Sequence, residues 1–338
     1  MKRDICDFTF DQLRDAITKM GEPEYRASQV FGWIWHEDVR KFPEMTNLPR
    51  KLIEKLDKTY SINELACAER LISKDGTEKF LWKLVDGNHV ETVFIKEAKR
   101  RTLCLSTQVG CRFKCPFCAS GTRGLVRDLK FSEIVNQVCA VQKICSSRIT
   151  NVVFMGIGEP LDNYDNLLEA ITILNHPKGL NIGARKITVS TCGIIPGINK
   201  LKDTGLQVEL SVSLHAGNNK LRNELVPVNR RYPLEKLTWA LKDYYRSTGR
   251  VITLEYTLIK GQNDSLKDAE ELAGIAKEIK AKVNLLTCNP AVSPGIVGTK
   301  EQGIIAFKNK LRSRGVTVTT RKIKGADIKA ACGQLAFK

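Results

Sequence analysis

Strand and helix signals alternate along most of this chain, and this alternation limits the folds that it can adopt. From Thr102 onward, short runs of apolar and β-branched residues predict strands, and longer segments with helical spacing of apolar residues separate them. The predicted strands are 102–106, 151–155, 186–190, 207–213, 250–257, 282–286 and 316–320. The predicted helices between them include 131–145, 163–175, 266–280 and 300–313. Such alternation is typical of a parallel sheet with right-handed crossovers, so we predict an α/β fold that forms a barrel or partial barrel.

The N-terminal part of the chain carries helical patterns only. Apolar residues at helical spacing predict helices at 10–20, 25–39 and 47–56. The second of these has an aromatic face that includes Trp33 and Trp35. This face either packs in the core of a small bundle or stacks on the bases of a nucleic acid.

Between these helices and the barrel, the pattern changes to short strands. Residues 77–85 and 90–95 alternate between apolar and polar side chains, and the turn-forming pairs Asp75-Gly76 and Asp86-Gly87 flank the first of them. This spacing predicts a β-hairpin. We therefore divide the chain into a helical unit at 1–60, a β-hairpin extension at 61–100, the partial barrel at 101–320 and a C-terminal segment at 321–338.

The composition fits a folded protein with a polyanionic partner. Of the 338 residues, 42% are hydrophobic, and 54 Lys+Arg against 37 Asp+Glu give a formal net charge of +17. A field of that sign attracts phosphate backbones, so RNA, DNA, the ribosome surface and anionic membranes are all candidate partners. No run of about 18 apolar residues occurs, and the N-terminus becomes charged too early for a signal peptide. We therefore expect a soluble, cytoplasmic protein.

Three of the eleven cysteines are concentrated in one short loop. Cys111, Cys115 and Cys118 form a C-x3-C-x2-C motif, and the odd cysteine total argues against a secreted disulfide framework. In a loop this short, the three thiolates can converge only on one small metal centre that prefers soft ligands. A structural zinc site needs a fourth ligand, and the nearest candidate, Cys104, lies on the preceding strand. Three thiolates instead leave one iron of a four-iron cluster open to an exchangeable ligand.

This motif and the strand–helix array resemble the radical S-adenosylmethionine (SAM) superfamily. There, the open iron of a 4Fe-4S cluster binds SAM and passes it one electron, which produces a 5′-deoxyadenosyl radical. Four segments make the chain similar to the adenosine carbon-2 RNA methyltransferase family from about residue 8 to 335: CLSTQVGC at 104–111, MGIGEP at 155–160, SLH at 213–215 and ACGQL at 331–335.

The resemblance implies a radical SAM partial (β/α) barrel with residues 1–60 as an RNA-binding accessory domain. It implies methylation of one adenosine in the peptidyl-transferase centre of 23S rRNA and of adenosine 37 in certain tRNAs. It further implies an external one-electron donor such as flavodoxin or ferredoxin, no membrane partner, and a monomeric enzyme.

Candidate SAM-binding residues cluster at the carboxyl ends of predicted strands, where a βα barrel builds its site from loops. The family positions that bind SAM match Gly158, Glu159, Ser190, Ser213, Leu214, His215 and Asn289. A glycine lets the backbone approach the ligand, and Glu159 can accept a hydrogen bond from the ammonium group of SAM. The serines and Asn289 offer hydrogen bonds to its carboxylate, ribose or adenine. His215 is either a further ligand contact or a satisfied core histidine.

Cys332 and Cys104 acquire a shared role only through the resemblance. In the family, one SAM methylates the cysteine that matches Cys332, and a second SAM in each turnover yields the radical that removes hydrogen from that methyl group. The resulting methylene radical adds to carbon 2 of adenine and tethers the RNA. The cysteine that matches Cys104 then releases the product by forming a transient disulfide, and Glu91 matches the proposed acceptor of the carbon-2 proton. From the pattern alone, both cysteines are packing residues and Glu91 is a solvated strand residue.

Several alternatives stay open. A related group methylates carbon 8 of the same rRNA adenosine, confers antibiotic resistance and shares the cysteine set, although Val109 and Pro160 fit the carbon-2 group better. A non-catalytic RNA- or ribosome-binding protein with a structural iron–sulfur or zinc centre, and a radical SAM enzyme for a small metabolite, are the other candidates. We interpret the remaining cysteines as packing residues: Cys6, Cys67, Cys139, Cys145, Cys192 and Cys288. At the positions of Cys192 and Cys288, the family usually has a different residue. Candidate RNA contacts are 99–101, Arg123, Arg127, Arg230-Arg231 and Arg321-Lys322.

Overall fold

The computed structural model describes residues 2–289 and 295–336, and a helical unit comes first along the chain. Its elements are β1 (Arg3–Asp4), α1 (Phe10–Lys19), α2 (Tyr25–Trp35), α3 (Arg50–Thr59) and β2 (Tyr60–Ser61). β1 and β2 pair in parallel, which brings the two ends of the unit together. α1 begins at a capping box in which Thr9 and Gln12 exchange hydrogen bonds between side chain and backbone.

Two helix boundaries differ from the predicted ones for local reasons. α2 ends at Trp35 rather than at residue 39, because Asp38 has a positive φ of 54° that a helix does not tolerate. α3 begins at Arg50 rather than at residue 47, because Pro49 precedes it and the residue before a proline avoids helical backbone angles. Trp35 is buried, and the half-buried Trp33 donates from Nε1 to the side chain of Asn47, so both tryptophans are part of the packing of this unit.

The next three strands are antiparallel neighbours: β3 (Ala66–Ile72), β4 (Glu78–Lys83) and β5 (His89–Lys96). The predicted hairpin of β4 and β5 is confirmed, and β3 adds a strand that the pattern did not predict. Both turns use an aspartate side chain. Asp75 accepts from the amide of Thr77 at 2.9 Å, and Asp86 accepts from the amide of Asn88 at 3.0 Å.

Most of the remaining elements alternate between strand and helix as predicted. They are β6 (Arg101–Cys104), β7 (Gln108–Gly110), β8 (Leu125–Asp128), α4 (Phe131–Cys145), β9 (Asn151–Phe154), α5 (Tyr164–Asn175), β10 (Ile187–Thr191), α6 (Ile195–Asp203), β11 (Glu209–Ser213), α7 (Asn219–Leu225), α8 (Leu234–Thr248), β12 (Thr253–Leu258), α9 (Leu266–Glu278), β13 (Lys282–Thr287), α10 (Glu301–Ser313) and β14 (Val318–Thr320). One ten-stranded sheet has the order β14-β13-β12-β11-β10-β9-β6-β5-β4-β3. Seven neighbouring strands of this sheet are parallel to one another: β6, β9, β10, β11, β12, β13 and β14. β5 pairs antiparallel with β6. The sheet is open at β14 and β3, so the predicted partial barrel with a hairpin extension is confirmed.

The two faces of the parallel strands differ in polarity. Residues facing the helices are apolar and at most 1% exposed, among them Val152, Phe154, Val189, Leu210, Val212 and Leu254. Residues facing the barrel interior are mostly polar, among them Thr188, Ser190, Ser211, Ser213, Thr253, Glu255, Thr257 and Asn284. A closed (β/α) barrel fills its interior with branched apolar side chains. This interior instead surrounds cavities.

The helical unit shares its hydrophobic core with the barrel. Asp7 accepts from Ser132 and pairs with Lys130 at the start of α4. On the opposite side, Lys178 donates to Ser28 at 2.6 Å. None of the helices in the described part of the chain is long and apolar enough to cross a membrane.

Candidate active site

A loop that is clamped at both ends carries the three motif cysteines. β7 and β8, which the sequence did not predict, pair on either side of it, and the amide of Cys111 donates to the carbonyl of Gly124 at 3.0 Å. Cys111, Cys115 and Cys118 all line one cavity at the carboxyl ends of the strands, which we call the upper chamber. Burial is the main cause that raises the pKa of all three thiols, to about 12 for Cys111, and each lies close enough to another motif cysteine for charge repulsion to matter.

The upper chamber brings together most of the predicted SAM-binding residues. Its walls include Gly158, Glu159, Ser190, Ser213, His215 and Asn289. Leu214 is not among the lining residues, because its side chain is buried outside the cavity. Its amide donates to the carbonyl of Glu255 at 3.0 Å, and its carbonyl accepts from Arg222 at 3.1 Å. Leu214 thus fixes the end of its strand.

Glu159 presents a buried carboxylate that has backbone donors but no cation. It is 4% exposed and accepts from the amides of Cys192 at 2.8 Å and Leu161 at 3.2 Å. Burial raises the pKa of this carboxyl group, and the backbone hydrogen bonds oppose that effect. The amide of Glu159 is held in turn by Gln108, at 2.9 Å. Because no described cation pairs with it, this carboxylate is suited to bind the ammonium group of a ligand.

Gly158 is the residue that lets the backbone pass close to Gln108. Its φ is +103°, and an added Cβ would lie 2.6 Å from the Cβ of Gln108. Only glycine satisfies both conditions.

His215 is held as a neutral ring of one tautomer. The amide of Thr257 donates to its Nδ1 at 2.9 Å, which leaves Nε2 to carry the proton. Burial, followed by the charge of Arg222, lowers the pKa of His215 to about 3. Phe117 of the cysteine loop meets its ring edge-on at 4.8 Å. His215 is thus both buried and part of the chamber wall, so its two predicted readings coexist.

Arg222 lies behind the chamber wall, and no sequence motif identified it as a site residue. It is fully buried and donates to the carbonyls of Cys192 at 2.7 Å and Leu214 at 3.1 Å, and to the side chain of Asn229 at 2.9 Å. Burial lowers its pKa to about 10, while Cys192 and Cys115 oppose that effect. Within the described residues it has no carboxylate partner, so its charge requires a negative group from elsewhere.

Cys332 lies close enough to Cys104 for its charge to act on the Cys104 thiol. Cys332 is exposed and lines the chamber, and its carbonyl accepts from Asn289 at 3.2 Å. Cys104 is buried behind it and does not line the cavity. The pKa of the Cys104 thiol is raised to about 12, chiefly by burial and next by the charge of Cys332, while Arg321 opposes this shift.

Glu91 lies apart from the chamber and fastens the C-terminal tail. Its carboxylate pairs with Lys79 at 2.9 Å and accepts from the amide of Ala336 at 3.0 Å. It is 5% exposed, so the pattern-based interpretation as a solvated residue is wrong. The alternation of β5 did not reveal this because the tail, which comes from the other end of the chain, covers that strand.

The interpretation of the other cysteines as packing residues needs correction only at Cys67. Cys192 and Cys288 pack with the hydrophobic core and also line the upper chamber, so they shape the cavity. Cys67 is exposed on β3. Cys6 and Cys139 are buried and Cys145 is half-buried, as expected of packing residues.

The donor set fits an iron–sulfur cluster. No three His, Cys, Asp or Glu side chains within residues 2–289 and 295–336 are placed to hold a single metal ion. A four-iron cluster bonds each thiolate to a different iron, so its ligands stand farther apart than those around one zinc ion. Three cysteines on one cavity, with an uncompensated guanidinium behind them, match the negative charge of such a cluster.

The open barrel, the three-cysteine loop and the chamber beside it define a radical SAM enzyme. The model of the radical SAM superfamily matches residues 105–276, and the model described as ribosomal RNA large subunit methyltransferase N-terminal domain matches residues 3–62. A solved radical SAM methyltransferase from Sphaerobacter thermophilus is 41% identical, with a TM-score of 0.93 over 98% of this chain and 99% of that one.

Curated relatives specify the family further. Proteins named dual-specificity RNA methyltransferase RlmN from Geobacillus kaustophilus and Thermotoga neapolitana are 47% and 46% identical; each alignment covers 99% of this chain, with 92% and 98% of the relatives. The chain belongs to the RlmN family of radical SAM RNA methyltransferases. It is an enzyme that uses a 4Fe-4S cluster and SAM and acts on RNA, which sets aside the non-catalytic and small-metabolite alternatives.

Proposed function

We propose that this enzyme methylates carbon 2 of one adenosine in 23S rRNA and of adenosine 37 in tRNA, with Cys332 as the residue that carries the methyl group. One observation carries the proposal: Cys332 lines the same chamber as the cysteine loop, and it is close enough to Cys104 to raise the pKa of that thiol. A single chamber thus combines a cluster site with a carrier thiol, and a second thiol lies beside it.

The chain's own residues account for how the cofactors are held. When bound, the cluster and SAM supply an electron, a methyl group and a carbon-centred radical, and two molecules of SAM are used per turnover. Cys111, Cys115 and Cys118 bind the cluster. The carboxylate of Glu159 accepts from the SAM ammonium group, and Nε2–H of His215 donates to the ligand. The side chains of Ser190, Ser213 and Asn289 complete the polar wall.

Cys332 is needed because carbon 2 of adenine is too electron-poor to attack a sulfonium methyl group itself. The Cys332 thiolate would take the methyl group of the first SAM as a thioether, with S-adenosylhomocysteine as the leaving group. The thioether would then give one hydrogen atom to the deoxyadenosyl radical derived from the second SAM, which would leave as 5′-deoxyadenosine. The remaining methylene radical would form a bond to carbon 2 of adenine. The adduct would then give up the carbon-2 proton and one electron, and the oxidised cluster held by Cys111, Cys115 and Cys118 would supply the acceptor for that electron. RNA and protein are then joined through the sulfur of Cys332.

Cys104 releases the RNA. Its thiolate attacks the sulfur of Cys332, the S–S bond forms as the C–S bond breaks, and the released carbon takes a proton to become the new methyl group. An external thiol then reduces the disulfide. Burial raises the pKa of the Cys104 thiol to about 12, and the guanidinium of Arg321 opposes this shift, in the direction of the thiolate that this step requires.

We retain Glu91 as the proposed acceptor of the carbon-2 proton. Its carboxylate is bound to Lys79 and to the amide of Ala336, four residues after Cys332. Transfer of a proton to Glu91 therefore requires the bond to Ala336 to open, which links this step to a movement of the tail.

The remaining parts of the proposal concern organisation and partners. Residues 1–60 form an accessory RNA-binding domain, 61–100 the hairpin extension, 101–320 the barrel and 321–338 the methyl-carrier segment. The match of residues 3–62 to an rRNA methyltransferase N-terminal domain supports the first of these. The enzyme works as a cytoplasmic monomer and receives electrons from flavodoxin or ferredoxin.

The variant Cys104→Ala tests the mechanism. It should load its cluster, methylate Cys332 and attack the RNA, and then stall as a covalent protein–RNA adduct, because alanine has no thiol for the exchange. A denaturing gel with and without ribonuclease detects the adduct, which Cys104→Ala/Cys332→Ala should not form. The exposed Cys67→Ala is the matched control and should turn over normally.

Nucleoside mass spectrometry after reaction with methyl-labelled SAM tests the position and the substrate. We expect the label on carbon 2 of adenosine in both RNAs. Label on carbon 8, or normal turnover by Cys104→Ala, would overturn the corresponding part of the proposal.

A further inference from the structure

A second and larger cavity lies inside the barrel, toward the amino ends of the strands. We call it the lower chamber. The volume of this cavity that water can occupy is about 640 Å³, compared with about 170 Å³ in the upper chamber. Inner-face side chains of successive strands line it, including Asn151, Thr188, Ser211, Thr253 and Asn284. These side chains provide hydrogen-bond donors and acceptors at every strand, so the lower chamber suits a polar ligand.

The two chambers meet at Arg321. Met155, Glu255 and Arg321 line both cavities, and Arg321 donates to the sulfur of Met155 at 3.4 Å. The charges of Cys332 and Cys104 are among the causes that raise the pKa of Arg321, so both cysteines lie near its guanidinium. A ligand that fills the lower chamber from the amino end therefore arrives at the two reacting cysteines.

The lower chamber carries an excess of positive charge. Its basic lining residues are Arg100, Arg185, Lys186, Lys282, Arg321, Lys322 and Lys324. Its acidic lining residues are Glu97, Glu209 and Glu255, and Glu209 is already paired with Arg250. A polar cavity with this balance attracts phosphate groups.

The cysteine loop and the tail meet at one side of the upper chamber. Phe117 of the cysteine loop packs on His215, and the amide of Ala119 donates to the carbonyl of Gly333 at 2.8 Å, so that loop and tail are joined there. The three motif cysteines and most of the predicted SAM-binding residues also line this chamber. The amino end of the barrel therefore offers a polar, positively charged way toward Arg321 and Cys332.

We propose that the RNA substrate enters through the lower chamber, so that the target nucleotide inserts from the amino ends of the strands and its base stops between Glu255 and Arg321, below Cys332. This rests on the proposed function and names the route of its substrate. An enzyme that modifies a base must take that base out of its stack into a fitted cavity. The Glu255 carboxylate, which accepts from Asn284 at 2.8 Å, is placed to accept from the exocyclic amino group of adenine.

Two pairs of basic residues distinguish this route from the opposite one. Arg185 and Lys186 are exposed at the start of β10 and have no ion pair among the described residues. Arg230 and Arg231, which are among the candidate RNA contacts from the sequence, are exposed in the segment after α7, on the side of the carboxyl ends. Arg127, another sequence candidate, is occupied by Asp86 and Glu133.

The experiment compares Arg185→Ala/Lys186→Ala with Arg230→Ala/Arg231→Ala in the cluster-loaded enzyme. Fluorescence anisotropy with a labelled tRNA transcript, measured across salt concentrations, gives the affinity and its salt slope. We expect the first pair to lose about tenfold or more in affinity and its slope to become shallower by about 1.5, since each lost phosphate contact removes roughly 0.7 to 0.9. The second pair should bind as the wild type does. SAM cleavage without RNA should be unchanged in both.

A steric variant provides a second measurement. Thr188→Phe adds a ring to the wall of the lower chamber only, so it should weaken RNA binding and leave SAM affinity unchanged. Loss of RNA affinity in the Arg230/Arg231 variant but not in the Arg185/Lys186 variant would overturn the proposed route while the methyltransferase function stands. A wild-type enzyme that leaves both RNAs unmodified would instead overturn the proposed function itself.

Discussion

The upper and lower chambers are built from the same strands but by different kinds of residue. The upper chamber uses loop residues that are buried and already hydrogen-bonded, such as Glu159 and His215. The lower chamber uses alternate strand residues and a rim of exposed cations such as Arg185 and Lys186. The first arrangement fixes a small ligand in one geometry, whereas the second attracts a large polyanion and lets it adjust. Substitutions in the upper chamber should therefore have the larger effects.

The largest effect is expected at the cysteine loop. Cys115→Ala should abolish production of 5′-deoxyadenosine, because two thiolates do not hold a four-iron cluster with one open iron. Iron and sulfide content together with product analysis check this. Cys67 is exposed and far from the chamber, so the control variant Cys67→Ala should retain the cluster. Cleavage of SAM by Cys115→Ala at the wild-type rate would contradict the assignment of Cys115 as a cluster ligand.

Arg222 tests whether a buried charge behind the wall matters. Arg222→Met should lower the free energy of unfolding by about 3 kcal/mol, because the carbonyls of Cys192 and Leu214 lose their donor at a cost of roughly 1–3 kcal/mol each. It should also make the reduction potential of the cluster more negative, since a nearby positive charge stabilises the reduced form. Urea unfolding and an anaerobic redox titration followed by electron paramagnetic resonance measure the two effects. Arg222→Lys should restore the potential in part, and an unchanged potential in Arg222→Met would argue against charge compensation.

Two glycines with positive φ separate backbone strain from close packing. Gly205→Ala should cost about 1–2 kcal/mol of unfolding free energy, because its φ is +70° but nothing lies within 4 Å of the added Cβ. Gly158→Ala should cost about 2 kcal/mol more, because its Cβ would also meet Gln108. It should weaken SAM binding in equilibrium dialysis, whereas Gly205→Ala should not. Equal losses of stability would mean that Gln108 moves aside freely.

The smallest effect is a pH dependence from His215. Its pKa is about 3 in the folded chain, against 6.5 as the ordinary value, so below pH 6.5 the unfolded chain binds a proton that the folded chain does not. Stability therefore falls as the pH falls, by about 1.4 kcal/mol from this group at pH 5.5. His215→Asn, which tolerates the positive φ of 58° at this position, should remove that contribution. Urea midpoints at pH 7.5 and pH 5.5 provide the comparison, and an unchanged pH dependence in the variant would count against it.

The candidate site was only partly predictable, and the reason differs from residue to residue. Cys111, Cys115 and Cys118 were predictable because ligands that are close in sequence converge whatever the rest of the fold does. Arg222 gave no signal, because a single arginine in a short helix reads as a surface residue until the fold buries it. Gln108 is part of the CLSTQVGC segment at 104–111. Its contact with the amide of Glu159 was not predictable, because it joins the ends of two separate strands.

The sequence by itself determined the strand–helix order, the cysteine loop and the family, since these depend on residue spacing along the chain. It also contained the polar alternation of Thr188 and Ser190 or Ser211 and Ser213, which distinguishes an open interior from a packed one. Only the tertiary structure decided that Glu91 is buried under the tail, and that Arg321 joins the two chambers beside Cys332. Both facts depend on where the C-terminal segment lies against strands that are remote in sequence, and no local pattern encodes that docking.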